Sequence, residues 1–451
     1  MRLRVILLAT ATTAAVVASC RSAPPPAPPV PVRVLSESAL AALRWTQSNA
    51  VGFQSGDSIA SAAEHAHLLA LAGNARVIGF SELTEGTHEF PYIVRRSVIA
   101  LADSARVRGL AIQAPMAEAM ELDRYVRTGV GDPQRLLHTL GSWRWETREM
   151  RALVAALHEW NQGRSTAQQI GFYGFEIPSA AHAVSVVTSL RDSITGPALK
   201  AWLAREYACV GLNEGAHFGL EGRAADTAYW NACGPATTVA LDSVVALRRR
   251  VSPTSRAAAD VAFAEQMARL IQHHVRIGLR HLKREEFNAE HVLFLADALG
   301  PDAKLMLWGG DVEMGRLIQN RTTVQTAVVL GDRLGERYRA IAFAFGDGVV
   351  RARPAGSGRS GGEPGLANLT VLPPRANTYE DVLNRVQRDA FWLDMRALPA
   401  DTAGGWLRGP RPMRLISEVY TPTSPESFQT PVEFPKYFDA VVFVRHVTAA
   451  R

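Results

Sequence analysis

Cysteine is scarce in this chain. There are three in 451 residues, and none forms a Cys-x-x-Cys pair, so zinc-ribbon and dithiol-redox arrangements have no support. No strand candidate ends in a Gly-x-Ser-x-Gly elbow, which leaves the serine-hydrolase layout without support. No Gly-rich loop followed by Lys and a hydroxyl residue is present to cradle a phosphate. The formal charge of +6 is spread along the chain, without an extended basic run interleaved with aromatics, and this argues against nucleic acid as a partner. Internal repeats are absent, and past the N-terminus no apolar run is long enough to span a bilayer. What remains, 47% hydrophobic and 20% charged, is the composition of a globular enzyme with room for one large domain or two ordinary ones.

The N-terminus reads as an address. Arg2 and Arg4 precede the apolar, small-residue stretch from Val5 to Ala18, which is short for a membrane span and rich in Ala and Thr. Val17-Ala18-Ser19-Cys20 resembles a bacterial lipobox. That implies a lipoprotein signal over residues 1–19, lipidation at Cys20, and delivery to the cell envelope with attachment to the outer membrane through the lipid. Ala23-Pro24-Pro25-Pro26-Ala27-Pro28-Pro29-Val30-Pro31 favours polyproline geometry, so residues 20–35 read as lipidated cysteine plus stiff linker. Residues 36–451 form the body. In an oxidising compartment Cys209 and Cys233 are candidates for a disulfide, the alternative being two buried thiols.

Within the body, short apolar runs alternate with longer helical patterns. Strand candidates are Arg76–Phe80, Gly109–Gln113, Gln169–Phe175, Lys304–Trp308, Arg339–Phe345, Phe391–Met395 and Phe438–Val444. Helical periodicity fills Glu89–Arg108, Met116–Arg127 and Thr147–Trp160, and dominates from about 180 to 300. Within that helical region, Arg256–Leu299 contains a long amphipathic stretch with Val261, Ala264, Ala268, Ile271, Val275, Leu279 and Leu282 on one face. Val350–Leu366, rich in Gly, Arg and Ser, reads as a mobile loop. The alternation predicts an α/β fold, with a mainly parallel central sheet flanked by helices and a long helical insertion. Ligands bind such sheets beyond the carboxyl ends of the strands. There the sequence gathers Glu82, Glu85 and His88 after the first strand, Gln113 after the second, Glu176 after the third, and Asp311 and Glu313 after the fourth.

Gly79-Phe80-Ser81-Glu82-Leu83-Thr84-Glu85-Gly86-Thr87-His88-Glu89-Phe90 resembles the Gly-Glu-x-Thr-His-Gly-Thr-x-Glu-Phe signature of the erythromycin esterase family. The likeness continues, in one order, at Glu121–Val126, Trp143–Thr147, Phe172–Glu176, Arg284–Glu286, Leu307–Arg316, Phe391–Arg396 and Phe438–Phe443. The resemblance implies an α/β core with a helical insertion, and ester or lactone hydrolysis by activated water. It also implies a site in which Glu82 matches a family glutamate and Arg96 a family basic residue. Four positions depart from the pattern. Glu85 stands at the water-activating histidine, Gln113 at a glutamate, and Gly310 and Glu313 at two further histidines.

A solvated glutamate, with a pKa near 4, is a weaker base than imidazole at neutral pH unless burial or neighbouring carboxylates raise it. Three readings stay open. One is a hydrolase using Glu85 or Glu313 as base with His88 assisting. The second is a ligand-binding protein that has lost catalysis. The third is a carboxylate site, with Glu82, Glu85, Asp311 and Glu313 holding a divalent cation or working as a paired acid and base. The partners expected are a small-molecule substrate or ligand and a membrane reached through the lipid. No cofactor and no dedicated metal site are expected.

Overall fold

The computed structural model of the chain describes residues 34–177, 180–213, 223–255, 257–279, 284–310, 312–316, 325–355 and 365–451. The signal segment, Cys20 and the whole proline-rich stretch lie outside the described residues, as do Asp311 and 356–364.

Twelve strands follow one another among the described residues: β1 Val51–Phe53, β2 Val77–Glu82, β3 Val107–Pro115, β4 Gly171–Glu176, β5 Lys304–Gly310, β6 Tyr338–Pro354, β7 Ala367–Val371, β8 Ala390–Asp394, β9 Arg411–Arg414, β10 Val419–Tyr420, β11 Gln429–Val432 and β12 Ala440–Val447. The main sheet runs β1-β8-β12-β6-β2-β5-β3-β4, with β7 and β10 also paired to β6. From β12 through β4 the pairings are parallel, whereas β1, β7 and β8 pair antiparallel to their neighbours. The fold is thus mixed α/β with a mostly parallel central sheet flanked by helices.

Strands β2 and β5 are central because they are apolar on both faces. Every residue of Val77–Glu82 is buried. In β5, Leu305 and Leu307 join one core while Met306 and Trp308 join the other. The helices Glu89–Ser104 and Arg148–Asn161 cover the second face with Phe90, Ile93, Val94, Met150, Leu153 and Leu157. The first face is covered by helices that follow β4: Ala181–Thr188, Asp192–Glu206, Arg223–Arg250, Ala257–Leu279 and Arg284–Ala298.

In this helical stretch Val261, Ala264, Ala268, Ile271 and Val275 are all buried. The helices Ala257–Leu279 and Arg284–Ala298 carry the described part of the amphipathic stretch, and Leu282 lies outside the described residues. Cys209 and Cys233 are joined by a disulfide. Val350–Pro354, expected within a loop, instead continues β6, because Val350 and Ala352 alternate inward to the core and pair with β7. No helix among the described residues is long and apolar enough to cross a membrane.

Candidate functional site

The parallel strands all deliver their carboxyl ends to one edge of the sheet, and the site is assembled there. Glu82 is the last residue of β2, in register with Gly310 at the end of β5. Its carboxylate Oε1 accepts the Trp308 indole N–H at 2.9 Å. Burial pushes the Glu82 pKa up to about 8; Arg144 opposes the rise, Glu85 adds to it, and the Trp308 hydrogen bond opposes it.

Beyond Glu82 the chain turns through Gly86, whose φ of +79° and proximity to the Arg351 carbonyl leave no room for a side chain. Within that turn Glu85 is buried and ion-paired, its Oε2 lying 3.0 Å from Arg144 Nε. Arg144 comes from the short 3-10 turn Trp143–Trp145, and its guanidinium carbon lies 4.8 Å over the Trp145 ring. Gly310 completes the arrangement by having no side chain. A Cβ there would stand 1.8 Å from Glu85 Oε1 and 2.6 Å from Arg144 Nη2.

Gln113 and Glu313 belong to the neighbouring part of the same edge. The Gly310 N–H donates to Gln113 Oε1 at 2.9 Å, and Gln113 Nε2 donates to Glu176 Oε1 at 3.2 Å. An amide suits this place because it must accept from one neighbour and donate to the other, which a carboxylate cannot do. Glu313 accepts from the Thr326 hydroxyl. Its pKa rises to about 7, chiefly through burial, with Thr326 opposing, Glu176 adding and Arg284 opposing. Arg284 is held above its usual range although burial opposes it, by Glu176, then Glu285 and Glu313. Two carboxylate–guanidinium groupings therefore meet the strand ends, one at Glu85–Arg144 and one around Arg284.

Two expected site residues are engaged elsewhere. His88 Nδ1 lies 2.5 Å from Glu149 Oε1, and its ring packs edge-on against Tyr92. The His88 N–H donates to the Thr448 carbonyl at 2.8 Å. Its partners are thus the C-terminal chain and the helix Arg148–Asn161. Arg96 is buried with Glu64 at 3.1 Å, donates to Gln54 O and Ser58 Oγ, and stacks on Phe53. It is tied to the β1 side of the molecule. Asp311 lies outside the described residues. Among those described, no three His, Cys, Asp or Glu side chains stand close enough together to hold a metal ion.

Arg144 stands outside the candidate set read from the sequence, although it lies within the Trp143–Thr147 stretch that resembles the family. The signal was local: one cation bracketed by aromatic residues inside a stretch resembling the family. Thr326 and Glu149 carry no such signal.

The family model described as erythromycin esterase matches residues 107–447. Among solved structures, the chain is similar to a Bacillus cereus protein, with 18% identity, 91% of this chain and 98% of that one covered, and a TM-score of 0.79. A succinoglycan biosynthesis protein is 17% identical over 92% of this chain and 98% of that one, with a TM-score of 0.73. The erythromycin esterase EreC, a mutant in its open conformation, is 16% identical over 85% of this chain and 94% of that one, with a TM-score of 0.59. At these identities the structural likeness speaks for the fold alone.

Proposed function

Because the chain belongs to the erythromycin esterase family, and family and fold suggest an esterase-like hydrolase, we propose that it hydrolyses a carboxylic ester or lactone of a small molecule, with Glu82 as the proton-transfer group. The Glu82 carboxyl carries the reading. It is buried at a strand end, bonded by a neutral donor, and raised to about 8. A carboxylate of that basicity takes a proton from water far more readily than an exposed one. In its ionised form Glu82 accepts a proton as the water oxygen bonds to the acyl carbon. The acyl–oxygen bond to the alcohol then breaks, and the departing alkoxide takes the same proton. One water adds across one ester bond and Glu82 is regenerated. Glu85, already held by Arg144, serves as a positioning group.

The test uses purified residues 34–451 against a panel of esters, lactones and macrolides. Glu82→Gln is expected to lose about 10²- to 10⁴-fold in kcat while melting as a folded protein. For the intact enzyme, kcat/KM should rise with pH, reach half its plateau near pH 8, and stay flat above. A profile flat from pH 6 to 9 removes Glu82 as the base. The ion pair at Glu85 favours a second reading, ligand binding without turnover, since a carboxylate paired with a guanidinium is a poor base. That reading takes over if no substrate is turned over faster than by Glu82→Gln while a member of the panel raises the melting temperature.

The supporting feature for location is Val17-Ala18-Ser19-Cys20 with the proline-rich stretch behind it. The domain is thereby tethered at the cell envelope through a lipid on Cys20. Membrane partitioning unchanged by Cys20→Ser would remove the tether.

A further inference from the structure

Arg144 carries hydrogen-bonding capacity that the protein leaves unused. Its side chain is only 11% exposed, and Nε is committed to Glu85 at 3.0 Å. Nη2 is buried with no acceptor. It faces the end of β5, 2.6 Å from where a Cβ on Gly310 would stand, a place that Glu85 Oε1 also crowds. The Trp143 indole N–H, on the same turn, is also buried without an acceptor. Folded proteins rarely leave such donors unsatisfied, and the exceptions gather where a ligand supplies the missing oxygen. Stacking on Trp145 and pairing with Glu85 fix the guanidinium plane before any ligand arrives, so a donor is preorganised at the strand ends. It lies within electrostatic reach of Glu82, whose carboxyl it stabilises in the charged form.

We propose that Arg144 is a catalytic residue whose Nη2 donates to the carbonyl oxygen of the substrate's acyl group. This rests on the hydrolase reading above. As the water oxygen bonds to the acyl carbon, the carbonyl π pair moves onto that oxygen, and Nη2 holds the resulting negative charge. When the pair returns, the bond to the alcohol oxygen breaks and the alkoxide leaves with the proton from Glu82. Arg144 neither gains nor loses a proton. Donors fixed in place before charge develops are a large source of rate enhancement in acyl transfer.

The experiment separates this role from simple support of Glu85. Kinetics are measured for Arg144→Gln, Arg144→Lys and Glu85→Gln. Binding of ethyl methylphosphonate, an anionic tetrahedral mimic, is measured by calorimetry. Arg144→Gln is expected to lower kcat by about 10²- to 10³-fold with KM nearly unchanged, and to weaken phosphonate binding by at least about tenfold. Arg144→Lys, which keeps the charge opposite Glu85 but loses the second arm of the fork, should behave the same way and covers the case in which Arg144→Gln folds poorly. Glu85→Gln, which removes the paired charge but keeps Arg144 and its stack on Trp145, should cost less. Equal losses for Arg144→Gln and Glu85→Gln, with phosphonate binding intact, overturn the proposal and leave the hydrolase reading standing. Absent turnover together with Arg144-dependent phosphonate binding removes hydrolysis and with it the catalytic role of Arg144, leaving an arginine that binds an anion. Absent turnover with no phosphonate binding overturns both.

Discussion

Glu85 and Gly310 depend on each other. With a glutamate at 85 reaching Arg144, any side chain at 310 overlaps the carboxylate, since a Cβ there would meet Glu85 Oε1 at 1.8 Å. Two residues that look independent in the sequence thus act as one physical unit. Glu85 is only 3% exposed, so its carboxylate has little free space into which to retreat. Gly310→Ala should therefore push a buried charge off its partner. The expected cost is about 1–3 kcal/mol of stability, with a loss of turnover at least as large as that of Glu85→Gln. In a Glu85→Ala background the overlap with the carboxylate is gone and only the 2.6 Å approach to Arg144 Nη2, the end of a long side chain, remains, so Gly310→Ala should then cost less. Melting curves of the four proteins in this cycle decide the matter. Equal costs of Gly310→Ala in both backgrounds would mean the overlap is not the cause.

The turn carrying Glu85 is held from three distant parts of the chain. Gly86 O accepts from Arg351 N at 2.9 Å and from Ala450 N at 3.0 Å, Glu85 N donates to Ile416 O at 3.1 Å, and His88 N donates to Thr448 O. The Glu89 carboxylate takes Thr448 N and Oγ1, and Glu149 takes Arg451 N. Removing Thr448–Arg451 deletes several of these bonds, each worth about 0.5–1.5 kcal/mol. Amides of Thr84–His88 should then exchange faster with solvent than those of β5, and kcat should fall. Unchanged protection of the turn would show that β6 and Ile416 hold it alone. This bracing marks the limit of what the sequence tells. Strands β2 and β5, and the polar groups at their ends, announce themselves through continuous apolar runs that stop at Glu82 and Gly310. The partners do not. Glu82 meets Trp308 across 226 residues and His88 meets Glu149 across 61, and neither pairing leaves a periodic trace. Proximity in sequence also misled. His88 sits three positions beyond Glu85, yet the αR backbone at the start of the helix Glu89–Ser104 sends it to Glu149.

Across the whole molecule, burial of ionisable groups makes stability respond to pH in two opposite senses. Glu82 and Glu313 have folded pKa values raised to about 8 and about 7 by burial. They hold protons in the folded state at pH values where the unfolded chain has released them. Their contribution is full at acid pH and is lost as pH rises from the ordinary carboxylate range through 7 and 8. Among the inserted helices, burial lowers His273 to about 3 and His291 to about 4, and they lie 3.3 Å apart. They remain neutral when folded, so their contribution is full above the ordinary imidazole range and is lost as pH falls below it. One proton of difference between the two states changes stability by about 1.4 kcal/mol per pH unit. Replacing Glu82 by Gln removes one proton's worth of the alkaline decline. The melting temperature of Glu82→Gln relative to the parent should therefore rise steadily from pH 5 to 8 and level off above. Glu313→Gln should level off about one unit earlier, and His291→Asn should leave this limb unchanged while flattening the acid one. A Glu82→Gln difference that does not vary between pH 5 and 8 would mean the carboxyl is ionised throughout, and with it would go the basicity on which its proton-transfer role depends.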